Sequence, residues 1–229
     1  MIEILTSGGP IGIVILLVLL ALSISAVYVV FDSLMTLRSS ELMPAGLADE
    51  VRAHLLKGQL QPAIQSCNEH PSVLAVVLQS GLEETEFGWR EVEKATEDAL
   101  FAQSARLLRR VEYMSVIGNI APMVGLLGTV TGMIFAFQEV AGSEGAAGAA
   151  DLAGGIYQAL VTTVGGLVVA IPALGLYAVL RNRVDALIAA VAQQASAALQ
   201  PIKRSAARKP GRPQKTRPPI PQAPPPSGE

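Results

Sequence analysis

Two uncharged apolar stretches, residues 115–137 and 156–180, carry hydroxyl and amide groups where a lipid-facing helix would carry leucine. Thr129 and Asn119 lie in the first, Gln158, Thr162 and Thr163 in the second. Hydroxyls orient water and hand on protons, but they hold no charge at neutral pH. Neither stretch contains Lys, Arg, Asp, Glu or His, so a polar lining built from these residues needs an ionisable group from elsewhere.

As helices, both stretches present ordered stripes. Gly118, Pro122, Gly125, Thr129 and Gly132 follow spacings of 4, 3, 4 and 3, with Gly128 beside them. Gly155, Ala159, Thr163, Gly166, Ala170 and Ala173 follow 4, 4, 3, 4 and 3, and a neighbouring stripe holds Gln158, Thr162 and Gly165. Residues three and four apart share a helix face. In a membrane, small residues let backbones approach closely and hydroxyls bond between helices. Two readings follow. In one, the stripes only pack, and each threonine bonds a carbonyl of its own preceding turn. In the other, Gly125, Gly128, Gly132, Gly165 and Gly166, with Pro122 and Pro172, pack the helices while Thr129, Thr163, Thr162 and Gln158 form a polar lining able to orient water. The two prolines each remove one intrahelical hydrogen bond.

The elements that position these residues are read from composition and charge. Of 229 residues 51 % are hydrophobic and 16 % charged, and the apolar residues come in long runs. A spanning helix needs about 20 apolar residues. Three stretches qualify, 10–31, 115–137 and 156–180, which predicts an all-α membrane protein of three spans. The 17 Lys and Arg split into eight between the first two spans and nine after the third. Positive residues stay inside. The short N-terminus (1–9) and the loop 138–155 are thus expected outside, with the segment 32–114 and the C-terminus in the cytoplasm. The first span has no preceding positive charge and a long apolar core, unlike a cleaved signal. It is apolar on all sides, which places it at the lipid-facing periphery.

Gly46, Gln61-Pro62 and Pro71 punctuate the middle segment into short helices. From Gly88 to Gly118 no Gly or Pro occurs, so one helix is expected to run into the second span. The third span likewise continues over 181–200. Val73, Val76, Val77 and Ser80 read as intersubunit or intrasubunit core rather than as a ligand pocket. The Pro-rich basic tail 201–229 has too little apolar content to fold; attraction to anionic lipid is a further role for it.

Other residues carry bland readings. Cys67 is the only cysteine and reads as a small buried hydrophobe. The acidic residues Glu83, Glu84, Glu86, Glu91, Glu93, Glu97 and Asp98 read as a solvated face, and nothing near His54 or His70 has metal-ligand spacing. Phosphate-loop, zinc-protease and nucleophile-elbow motifs are absent from the sequence. The expectation is therefore no enzyme, no cofactor, no metal and no nucleic-acid partner.

The segments APMVGLLGTVTG (121–132) and GIYQALVTTVGGLVVAIPA (155–173) resemble the signature of the MotA/TolQ/ExbB proton channel family. The resemblance extends over about residues 1–200 and is closest to ExbB and TolQ. It implies a homo-oligomer, a pentamer, around two copies of a single-span ExbD- or TolR-like partner whose membrane Asp carries the proton. It further implies residence in the bacterial inner membrane and proton-driven work on the cell envelope. Thr129 and Thr163 match the two pore threonines of the family pattern. Gln158 stands where the family commonly has Glu, so the chain lacks a titratable group there. A flagellar- or gliding-type motor stator is the alternative within the family, and a non-conducting membrane scaffold the alternative outside it.

Overall fold

The computed structural model describes residues 9–142 and 149–208. The chain divides into two units. A span unit takes Met1–Arg38 with Ala105–Ala186, and a helical unit takes Ser39–Ser104 with Leu187–Glu229. Helix α1 is Gly9–Thr36. Helices α2 (Ser39–Leu42), α3 (Leu47–Leu56), α4 (Leu60–Glu69) and α5 (Val73–Glu83) follow, then a 3-10 turn at Thr85–Phe87. Helix α6 is Trp89–Gly142 and helix α7 is Ala149–Arg208. Among the described residues every regular element is helical. Three helices, over Gly12–Thr36, Trp89–Gly142 and Leu152–Ala207, contain stretches long and apolar enough to cross a membrane. The protein is an all-α, multi-pass membrane protein whose second and third long helices run on beyond their apolar stretches.

In the span unit, α1 packs through Ile15, Leu19 and Leu22 against Ala121 and Val124 of α6 and Val169 and Ala170 of α7. Much of the outer face of α1, including Val14, Leu17, Ile24, Val27 and Phe31, is exposed. A helix apolar on every side with one narrow contact is suited to lipid. At its end Arg110 donates to Thr36 Oγ1 at 3.2 Å and lies 3.8 Å from Asp32.

The long helices end later than the sequence suggests. Helix α6 continues to Gly142 and α7 starts at Ala149, so most of the expected loop 138–155 is helical. At the edge of this region Gly155 packs closely on Ala136: a methyl at Gly155 would sit 2.5 Å from the Ala136 Cβ. The expected unfolded tail from Pro201 is also corrected, because α7 passes through Pro201 to Arg208. An interior proline costs about 3 kcal/mol. Offsetting contacts follow at once: Ile202 packs on the core of the helical unit, and Lys203 lies 4.0 Å from Glu93 and 5.2 Å from the Trp89 ring centre. The expectations for residues 1–8, 143–148 and 209–229 lie outside the described residues.

The helical unit is built on large aliphatics. Leu47, Val51, Leu74, Val77, Leu78, Leu82 and Val92 are buried with Val191, Ala195, Ala198 and Leu199 of α7. Helix α3 ends in a Schellman motif: Gln59 N–H donates to the His54 carbonyl at 3.0 Å and Gly58 N–H to Leu55 at 3.1 Å. Gly58 holds the required left-handed φ of 70°. Ser72 caps α5 by accepting the Ala75 N–H at 3.1 Å. On α5 the buried stripe is Leu74, Ala75, Val77, Leu78, Gly81 and Leu82, whereas Val76 is 43 % exposed. Within this chain Val77 joins the core and Val76 lies outside it. Gly81 fixes the true face, since a methyl there would meet Thr96 and Leu199. Cys67 is buried here, and burial with Glu50 nearby pushes its thiol up to about 11. Ser66 Oγ donates to Glu50 Oε1 at 2.8 Å.

Candidate functional site between two glycine-lined helices

The two glycine stripes face each other across an antiparallel contact between α6 and α7. A methyl added at Gly125 would lie 2.8 Å from the Thr162 carbonyl oxygen and 3.0 Å from the Thr163 Cα. One at Gly166 would lie 2.6 Å from the Ala121 carbonyl oxygen and 3.2 Å from the Gly125 Cα. Gly132 meets Ala159, at 2.9 Å from its Cβ, and Gly118 meets Leu174, at 2.6 Å from its Cγ. At Gly128 an added methyl would collide with the Thr162 side chain. The absence of side chains at these positions lets main chain touch main chain, which is how helices gain dispersion contacts in a solvent as apolar as their own side chains.

Close approach brings two hydroxyls to one main-chain oxygen, with a third hydroxyl beside them. Thr162 Oγ1 and Thr163 Oγ1 each lie 3.1 Å from the Gly125 carbonyl oxygen. Thr163 Oγ1 is also 3.4 Å from Thr129 Oγ1. Thr129 donates to the Leu126 carbonyl at 2.7 Å, and Thr162 lies 2.7 Å from the Ala159 carbonyl. Thr129 is 8 % exposed, and Thr162 and Thr163 are half-buried. Thr129 and Thr163 therefore meet, with Thr162 beside them, across the helix contact.

The remaining singled-out residues have other surroundings. Gln158 is half-buried one turn before Thr162. Gly165 faces α1, with 3.6 Å to Leu19 Cδ1, an ordinary contact. Pro122 is half-buried within α6, and Pro172 is exposed on α7. Asn119 is exposed, and its amide donates to the Ser115 carbonyl of its own helix at 2.7 Å. The group that residue types could not reveal is the Gly125 carbonyl. It is a main-chain atom, and only the pairing of the stripes exposes its role. Among the described residues no cluster of His, Cys, Asp and Glu is arranged to hold a metal.

Three helices with long apolar stretches, two of them joined through main chain and hydroxyls over stretches that lack any charge (115–137 and 156–180), define a multi-pass membrane protein with a polar seam. The chain belongs to the MotA/TolQ/ExbB proton channel family, whose model matches residues 69–193. Similar proteins include an ExbB homologue of Methanothermobacter thermautotrophicus, 29 % identical over 187 residues, which are 80 % of this chain and 63 % of that protein. The biopolymer transport protein ExbB of Xanthomonas campestris pv. campestris is 39 % identical over 83 residues, 36 % of this chain and 32 % of that one. The Tol-Pal system protein TolQ of Haemophilus influenzae is 38 % identical over 81 residues, 35 % of each chain. Each match spans less than two thirds of the relative's own length.

Proposed function

We propose that the chain is a stator subunit of a proton-motive-force-driven motor of ExbB/TolQ type, conducting protons together with a single-span partner and passing work to the cell envelope. In this reading Thr129 and Thr163 wet the path, with Thr162 and Gln158 beside them. Gly125, Gly128, Gly132 and Gly166 hold the helix pair, with Gly165 and the prolines shaping its flanks. A homo-oligomer, a pentamer, surrounds two partner copies in a bacterial inner membrane. The N-terminus is outside and the C-terminus cytoplasmic, consistent with where the Lys and Arg fall.

The observation that carries this reading is the meeting of two hydroxyls from different helices, 3.4 Å apart, in a contact without an ionisable side chain. Threonines can pass a proton but not store one, and Gln158 does not titrate. The storing carboxylate must therefore come from the partner, and an aspartate in its single span supplies it.

The test is proton uptake by vesicles holding the full chain with its partner, driven by a potassium diffusion potential. Thr163→Val keeps the shape and removes the hydroxyl; it is expected to lower the flux about a hundred-fold, the lower end of what a positioned proton-transfer group contributes. Wild-type flux in an assembled Thr163→Val complex would overturn the path. A scaffold without conduction is the second reading, favoured by the contacts of Thr129 and Thr162 with carbonyls of their own helices. It predicts vesicles that stay tight with and without the partner.

A further inference from the structure

The hydroxyls around Gly125 have more acceptors than hydrogens. Each threonine carries one hydroxyl hydrogen, and a carbonyl oxygen has two lone pairs. Within α6 the Gly125 carbonyl accepts the amide of the residue four ahead, which leaves one lone pair for a hydroxyl. Thr162 and Thr163 both stand 3.1 Å from that oxygen. Each also has one alternative: the Ala159 carbonyl at 2.7 Å for Thr162, and Thr129 Oγ1 at 3.4 Å for Thr163. Thr129 turns its own hydrogen to Leu126, so its oxygen is open to accept.

Two arrangements satisfy the cluster. When Thr162 donates to Gly125, the hydrogen of Thr163 turns to Thr129, and the two helices are linked hydroxyl to hydroxyl. When Thr162 donates to Ala159, Thr163 takes the Gly125 carbonyl and that link opens. Thr162 is held at this branch point by size as well as by bonding, because its side chain fills the notch left by Gly128.

We propose that Thr162 is a positioning residue: by competing for the Gly125 carbonyl it sets whether Thr163 donates to Thr129 or to the main chain. The proposal rests on the reading that Thr129 and Thr163 line the proton path, and it adds a residue that acts on the path through another. Thr162 makes the link between the two threonines switchable. Without its hydroxyl, Thr163 keeps the carbonyl and the link stays open.

The test has two arms in the full-length protein reconstituted in vesicles. The first is a double-mutant cycle on thermal unfolding with Thr162→Val, Thr163→Val and the double variant. Either single variant leaves one hydroxyl to occupy Gly125, so the double variant is expected to lose more than the sum of the singles. Additive losses overturn the competition. The second arm is proton flux with the partner present. Thr162→Val is expected to lower it about ten-fold, within the range that misplacing a reacting group produces. Thr162→Ser, which keeps the donor, is expected to restore most of it at an unfolding temperature no higher than that of Thr162→Val. Full flux in Thr162→Val, or equal damage by Thr162→Ser, overturns the positioning role. A wild-type protein that passes no protons would instead sink the path itself, with the cycle still reporting on the competition.

Discussion

The two units are built for different solvents. The helical unit buries Leu47, Leu74, Leu78 and Leu82 almost completely, with charged residues outside. The span unit reverses this order. Many of its large residues, Leu126, Leu127, Ile134, Leu160 and Ile171 among them, lie on the exterior, while Gly118, Gly125, Ala121, Ala159 and Gly166 form the contact between α6 and α7. Water drives leucine inward in the first case. Lipid gives no such drive in the second, so helices there are held by dispersion between close backbones and by hydrogen bonds. The lesson is that an alanine-sized change carries opposite weight in the two units. Enlarging a residue is the harmful direction in one, and shrinking it in the other.

The largest expected effect enlarges the span contact. In Gly166→Val the first added carbon would already lie 2.6 Å from a main-chain oxygen, which has little freedom to move. Overpacking of this kind costs about 3 kcal/mol or more. Thermal unfolding of the purified protein should drop sharply, while Gly165→Ala, facing Leu19 at 3.6 Å, should change it by less than about 0.5 kcal/mol. Equal loss in both would erase the distinction between the two neighbouring glycines.

Next comes the converse change. Leu78→Ala opens a cavity in the helical unit, where Leu78 is 0 % exposed, and is expected to cost about 2–5 kcal/mol. Leu127→Ala, on the 55 % exposed outer face of the span unit, is expected to cost under about 1 kcal/mol. Unfolding temperatures of the two variants check the comparison. A larger loss for Leu127→Ala would show that this face is covered by another helix rather than by lipid.

A smaller effect follows pH. Cys67 is neutral in the fold, with its thiol raised from an ordinary value of 9.0 to about 11. Below pH 9.0 the thiol is protonated both folded and unfolded, and its contribution is fully present. As pH rises from 9.0 toward about 11 the unfolded chain gives up its proton first, so stability falls across that window. Cys67→Ala should flatten this part of the pH profile, and an unchanged slope would assign it to other groups. The smallest effect is at Arg110, whose pairing with Asp32 is 44–45 % exposed on each side. Arg110→Gln should shift stability by no more than about 0.5 kcal/mol.

Much of the architecture was legible because length and polarity decide it. The three spans, the unbroken run of α6 and the facing stripes all follow from helical spacing of small and apolar residues. The ends of the long helices were not legible. Pro201 looks like a stop, and only packing of Ile202 and the contacts of Lys203 show why α7 passes it. Spacing alone does not choose which face of α5 the chain buries, because the run VLAVVL is apolar all round. At the candidate site, residue types pointed to Thr129, Thr162 and Thr163. They could not show that Thr162 and Thr163 share an acceptor, because that acceptor has no side chain to read.

The Gly125 carbonyl has one further consequence, for how such a site changes over generations. A point mutation can delete a hydroxyl, but any of the twenty residues at position 125 would bring a carbonyl with it. The acceptor is thus immune to substitution in its chemistry and vulnerable only in its surroundings, since a methyl there would strike the Thr162 carbonyl oxygen at 2.8 Å. The seam is thus sensitive to bulk at Gly125 and Gly166 and to loss of a hydroxyl at Thr129, Thr162 and Thr163.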